Sequence, residues 1–254
     1  MLVAERHKKI VEIVNERNSV RVTELAQLFS VTDETIRRDL EKLEKERKLV
    51  RSHGGAISIE QRGEGIDLPV HEREIMFVEE KKRIAEEAIK HIAENDKILL
   101  DASTTAWYVA KNLPNIPLTV LTNSVKVILE LSKKNQIQVI SIGGNLHHRS
   151  LSYVGPLAEK YLDHYHVNKA FISCKGLDPR LGLSESNVQQ ASVKQKMLEI
   201  ADICYVMVNH QKFGVQAFTH VTSLTTIDRI ITNKEIAHDS LEILKEAGIE
   251  IFEA

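Results

Sequence analysis

The stretch Thr32-Asp33-Glu34-Thr35-Ile36-Arg37-Arg38-Asp39-Leu40-Glu41-Lys42-Leu43 decides the N-terminal fold. Ile36, Leu40 and Leu43 recur at i, i+4 and i+7, so they share one face of a helix. Thr32 stands where an N-cap belongs. Asp33 and Glu34 fall in the first turn, where the helix dipole favours acids. Upstream, Ile10, Val11, Ile13 and Val14 mark one side of a first helix starting near Val3. Thr23 is expected to cap a second helix, Glu24 to Phe29, with Leu25 and Leu28 inward. Ser30, Val31 and Thr32 make a tight connection to the third. Downstream, Leu49 to Ile57 reads as two short strands around Gly54 and Gly55, glycines that permit a tight turn. Three helices, the last two separated by three residues, then a hairpin, form a winged helix-turn-helix. Such folds place the later helix of that close pair in the major groove.

With the apolar face inward, Thr35, Arg38 and Lys42 line an outer face, flanked by Arg37. Arginine reaches guanine O6 and N7 with two hydrogen bonds, and threonine meets a base edge or a phosphate. Thr23, Thr32 and Glu34 stand at the starts of the second and third helices. Arg51, His53 and Gly54 in the wing complete the expected DNA contacts. Glu34 and Glu41 at helical spacing from Arg38 and Arg37 also fit an ordinary solvated face. The spacing of the helices and the wing decide for DNA.

The whole chain has 254 residues, 43% hydrophobic and 28% charged, so it is globular and holds two domains or fewer. No apolar run approaches the ~20 residues that span a bilayer, and no signal peptide is expected at the N-terminus. Two cysteines, Cys174 and Cys204, make a disulfide framework implausible and point to the cytoplasm. The net charge of −2 excludes a simple basic coat for nucleic acid. Residues 1–57 hold 12 of the 34 Lys and Arg but 10 of the 36 Asp and Glu, so the placement of charge matters more than its sum.

Residues 58–76, with Gly63, Gly65 and Pro69 among charges, read as a linker. From 77 to 254 short apolar strands alternate with helices, which implies a mainly parallel sheet covered on both faces. The strands are expected at 98–100, 118–121, 139–142, 170–173 and 204–208, with edge strands at 230–231 and 249–251. Ligands of such sheets collect beyond the carboxyl ends of the strands. Asp101, Ser103, Thr104 and Thr105 follow one strand and open a helix, a ready anion site. Asn123 and Ser124, then Gly143 and Gly144, repeat the pattern. Lys175 and Lys212 follow later strands, and Glu185 and Asn187 could bind sugar hydroxyls.

Thr35-Ile36-Arg37-Arg38-Asp39-Leu40, then Leu43, then Leu49-Val50-Arg51-Ser52-His53-Gly54-Gly55-Ala56, resemble the N-terminal signature of the DeoR family of bacterial transcription regulators. Lys48 departs from the glycine more usual there. Lys82-Arg83-Ile84-Ala85, Leu100-Asp101 through Thr105, Leu121-Thr122-Asn123-Ser124, Gly143-Gly144, Gly176 and Lys212-Phe213-Gly214 resemble the family's effector domain. Asn209-His210-Gln211 stands where the family more often has Asp-x-Ser. The resemblance implies a C-terminal Rossmann-like domain similar to ribose-5-phosphate isomerase and coenzyme A transferases, binding a phosphorylated sugar. Residues 100–110 and the segments 173–178 and 184–187 look closest to regulators of L-fucose and L-rhamnose operons. They imply a deoxyketose 1-phosphate effector.

The expectation is therefore a repressor of a sugar-catabolism operon, binding a double-stranded DNA operator as a homo-oligomer, dimer or tetramer. The rival is a sugar-phosphate isomerase-like enzyme carrying a DNA-binding domain, with Asp101, Glu185 and Lys212 as acid, base and phosphate anchor. Neither His147-His148 nor His164 with His166 has helical metal spacing. With no Walker loop and no GxGxxG, no metal and no cofactor is expected. Trp107 is expected to be a half-buried helix residue, and Cys174 a buried thiol.

Overall fold

The computed structural model describes residues 3–17, 19–46, 48–52, 54–58 and 68–254. His53 and residues 59–67 of the expected linker lie outside the described residues. The chain forms two compact units, Met1–Ile66 with His71–Val78, and Asp67–Val70 with Glu79–Ala254.

The first unit runs α1 (Val3–Arg17), β1 (Ser19–Arg21), α2 (Val22–Phe29), α3 (Asp33–Lys45), β2 (Val50–Ser52) and β3 (Gly55–Ile57). Ile36, Leu40 and Leu43 of α3 are fully buried with Ile10, Val14 and Leu25. Each such side chain contributes roughly 1.5–3 kcal/mol on leaving water. Thr32 caps α3, accepting the Thr35 N–H at 3.3 Å. Ser30, left-handed at φ 53°, ends α2 and turns the chain. β2 and β3 pair antiparallel, and β1 joins as a third strand against β3.

Three details differ from the sequence expectation. α2 starts at Val22, not after Thr23. Its Val22 N–H donates to the Gly54 carbonyl at 2.7 Å, so the wing backbone does the work of a side-chain cap. Leu28 is exposed, because the inward stripe is Val22, Leu25, Ala26 and half-buried Phe29, at i, i+3, i+4 and i+7. Gly55 serves close approach rather than the turn: a Cβ there would lie 1.9 Å from the Val20 carbonyl oxygen, whereas one on Gly54 meets open space.

A short helix, α4 (Val70–Glu74), stands within the segment read as linker. The chain continues through α5 (Val78–Lys90), β4 (Lys97–Leu100), α6 (Thr104–Asn112), β5 (Leu118–Thr122), α7 (Val125–Leu131), β6 (Ile137–Ser141), β7 (Asn145–His147), β8 (Ser152–Val154), α8 (Pro156–Leu162) and β9 (Val167–Ile172). There follow β10 (Gly176–Asp178), β11 (Gly182–Glu185), α9 (Val188–Glu199), β12 (Ala201–Met207), β13 (Thr219–Thr222), β14 (Arg229–Thr232), α10 (His238–Glu246) and β15 (Glu250–Glu253). The main sheet has seven strands in the order β15-β14-β12-β9-β4-β5-β6, every pair parallel. β15 is an edge as expected, but β14 lies inside, between β12 and β15. β7 pairs with β8, and β10, β11 and β13 form a small antiparallel sheet.

The strand order fixes where a ligand belongs. From β4 the chain steps outward through β5 and β6. It then returns to β9 on the other side of β4 and steps away through β12 and β14. The order reverses between β4 and β9, and the crevice beyond their carboxyl ends is the usual binding place of open parallel sheets.

Candidate effector site and nucleic-acid interface

Asp101 directly follows β4 and is fully buried. Its Oδ1 accepts the Ser103 N–H at 3.0 Å, and its Oδ2 accepts the Ser173 N–H at 2.9 Å. Ser173 directly follows β9, so one carboxylate ties the two strand ends together. Lys194 of α9 reaches the same place. Its Nζ lies 3.2 Å from Asp101 Oδ2 and 2.5 Å from Glu185 Oε1, and it also donates to the Ser173 carbonyl. Three oxygens thus surround the ammonium. Burial works to discharge this ammonium, but Glu185 and Asp101 outweigh burial and hold its pKa above the ordinary 10.5. Lys212 completes the group, donating to Ser173 Oγ at 2.8 Å and to the Cys174 carbonyl at 2.7 Å.

The structure thus gathers Asp101, Glu185 and Lys212 from the expected set, and adds Lys194 and Ser173. Ser103 caps α6 by accepting the Ala106 N–H at 3.0 Å. Thr104 and Thr105 are buried in the first turn of α6, whose positive end faces this edge. Asn123 and Ser124 stand at the end of β5, tied to β8: Asn123 Nδ2 donates to the Tyr153 carbonyl at 3.0 Å. Asn123 Oδ1 is buried with no hydrogen-bond partner among the described residues. Ser124 caps α7. Asn187 spends its side-chain oxygen on the Gln190 N–H, capping α9, and so is committed to the helix. Gly143 and Gly144 follow β6 and are exposed, and Lys175 is half-buried after β9. Cys174 is a buried thiol, pushed up to about 11 by burial.

Lys194 escaped sequence reasoning. The available signal is its spacing: Gln190, Lys194 and Met197 lie at i, i+4 and i+7, all buried. Gln190 donates to Ser150 Oγ and Ser152 Oγ, each at 2.7 Å, so the same face of α9 holds the β7–β8 hairpin.

In the first unit Arg37, Arg38 and Lys42 are exposed on α3, with Thr35 half-buried beside them. Arg38 Nε lies 3.4 Å from Glu34 Oε1, a solvated pair that costs little to open. Thr32 and Thr35 share a hydroxyl hydrogen bond at 2.9 Å. Thr23 is exposed on α2. Arg51 in β2 anchors the wing, its N–H donating to Glu44 Oε1 at 2.8 Å, and Gly54 forms the turn.

Among the described residues no helix is long and apolar enough to cross a membrane. Residues 6–62 match the DeoR-like helix-turn-helix domain, and residues 76–234 match the DeoR C terminal sensor domain. The chain is 55% identical to the HTH-type transcriptional regulator YulB of Bacillus subtilis, over 99% of this chain and 96% of that one. It is 36% identical to the L-fucose operon activator of Haemophilus influenzae, over 91% and 92%. Among solved structures, ribose 5-phosphate isomerase A of Methanocaldococcus jannaschii overlays 52% of this chain and 53% of its own, with a TM-score of 0.40 and 17% identity. The two domain matches, end to end along one chain, make this protein a transcription regulator of the DeoR family.

Proposed function

We propose that this cytoplasmic regulator controls a sugar-catabolism operon by binding its double-stranded operator as a homo-oligomer. A phosphorylated sugar, such as a deoxyketose 1-phosphate, switches it through the site at the β4–β9 crevice. The observation that carries this reading is the Asp101–Ser173–Lys194–Glu185–Lys212 constellation at the topological switch point, beside the N-terminus of α6. Phosphate suits the α6 terminus and Lys212, and sugar hydroxyls suit Asn123 and Glu185. The likeness to the Haemophilus L-fucose operon activator supports a deoxyhexose operon.

The same geometry supports binding rather than turnover. Both Asp101 oxygens accept backbone N–H groups, and Lys194 holds Asp101 and Glu185 together. Carboxylates so engaged are fixed in place, and we read them as orienting a ligand rather than moving its protons.

The test is a band shift of the DNA upstream of the protein's own gene, with and without a panel of ketose and aldose phosphates. One sugar phosphate should change the affinity, and none should be interconverted. Turnover of an aldose–ketose pair would replace this reading by the enzyme. A reporter fused to that DNA reads the sign: expression rising on deletion of the regulator marks repression, and falling marks activation.

A further inference from the structure

Asp39 stands between Arg38 and Leu40 on α3, yet its carboxylate is buried. Its partners come from α1. Arg6 Nε donates to Asp39 Oδ2 at 2.6 Å and Arg6 Nη2 to Oδ1 at 3.1 Å, while His7 Nε2 lies 2.9 Å from Oδ1. Arg6 and His7 are buried as well. Burial pushes the Asp39 carboxyl up, but the bonds from Arg6 and His7 hold it below its ordinary 3.8.

Ile10 and Val14 of α1 share one apolar cluster with Ile36, Leu40 and Leu43 of α3. Such contacts are non-directional and tolerate small rotations. A two-pronged guanidinium–carboxylate pair has one geometry. A buried ion pair adds little net stability over apolar residues of the same volume, so stability alone does not account for it. What the pair does supply is direction. Arg37 and Arg38 adjoin Asp39 in the chain, so fixing the Asp39 carboxylate fixes the rotation of α3 and the line along which those arginines project.

We infer that Asp39 is a positioning residue for operator recognition, acting through Arg6 and His7 of α1 to set the orientation of α3. The inference rests on the reading of α3 as the helix that meets bases. It separates two roles within one helix turn: Arg38 touches DNA, and Asp39 aims it.

The test uses full-length protein, a duplex selected by the wild type from a random pool, and a scrambled duplex of the same composition. The deciding variant is Arg6→Met with Asp39→Leu, which keeps the site filled and removes the direction. Its melting temperature should fall only modestly, by the cost of leaving His7 Nε2 without its acceptor. Its affinity for the selected duplex should fall about tenfold or more, while affinity for the scrambled duplex changes less than about threefold. Equal affinities of variant and wild type for the selected duplex would overturn the inference, as would losses in proportion on both duplexes. Should the double variant fail to fold, Arg6→Lys keeps the charge and loses the fork. It should lower the ratio of selected to scrambled affinity, and an unchanged ratio overturns the inference equally. Arg38→Ala, run alongside, tests the underlying reading. If it leaves selected binding intact, the reading of α3 fails; if it weakens binding while the Arg6 and Asp39 variants do not, only the positioning role fails.

Discussion

Lys194 Nζ lies 3.2 Å from Asp101 Oδ2, and that contact joins the helix between β11 and β12 to the end of β4. The same ammonium holds Glu185 at 2.5 Å. One buried cation therefore bridges two carboxylates at the point where the sheet reverses its order. Removing it strands both charges away from water.

Lys194→Met should lower the unfolding free energy by about 3–5 kcal/mol, the usual cost of breaking a buried pair from one side. The Lys194 pKa is raised on folding, so the contribution of its charge is complete below 10.5 and is lost as the pH climbs past that value. Urea unfolding of wild type and variant at pH 7 checks the deficit, and a loss below about 1 kcal/mol would show that Asp101 and Glu185 find other partners.

Trp107 is the chain's single tryptophan and sits in α6, which begins at Thr104. Lys126 Nζ stands 4.4 Å from the centre of its ring and Lys111 Nζ 5.3 Å. A phosphate seated at Ser103–Thr105 would bring a dianion within about one helical turn of the indole. Adding the sugar phosphate that alters DNA affinity should change the emission of Trp107 saturably. The midpoint should match the one read from the band shift. Calorimetric binding with unaltered emission would move the phosphate away from α6.

Much of this arrangement is legible in the residues alone. The i, i+4, i+7 stripe of α3 and the Thr32 cap follow from local spacing, and so do the apolar strands β4, β5, β9 and β12, because burial on both faces favours apolar runs. The strands β7, β8, β10 and β11 have only three or four residues, too few for a period of two to show. Lys194 and Asp39 were illegible for another reason. A charged side chain in a helix reads as solvated until the partner that buries it is known, and those partners lie far away in sequence. Asn187, Ser103 and Ser124 illustrate the converse. Their polarity was read as ligand binding, and part of it is spent on helix caps.

His91 follows α5, with its ring centre 4.3 Å from that of Phe252 and 5.1 Å from that of Tyr205. Burial disfavours the imidazolium and lowers its pKa below the ordinary 6.5, outweighing the attraction of Glu87. The unfolded chain therefore takes up this proton more readily than the folded one. The stability it contributes is complete above pH 6.5 and declines as the pH falls below it. Urea midpoints at pH 7.5 and 5.5 should drop more for the wild type than for His91→Phe, which fills the same aromatic niche without titrating. Equal drops would assign the acid sensitivity to other groups.

Arg38 and Lys42 lie at i and i+4 on the exposed side of α3, and they should fail in different ways. Among the described residues Arg38 is engaged only by Glu34 at 3.4 Å, both side chains well solvated, so its guanidinium leaves that partner for a guanine edge at small cost. Arg38→Ala should therefore weaken operator binding by about 1–3 kcal/mol and relax the base preference at one position in each half-site. A phosphate contact carries no such preference. If Lys42 makes one, Lys42→Ala should weaken selected and scrambled duplexes alike, and reduce the slope of log affinity against log salt by about one unit. Titrations at four salt concentrations separate the two. Should Arg38→Ala change the salt slope and spare base preference, its role is a backbone contact, and the specific readout passes to its neighbour Arg37 and to Thr35.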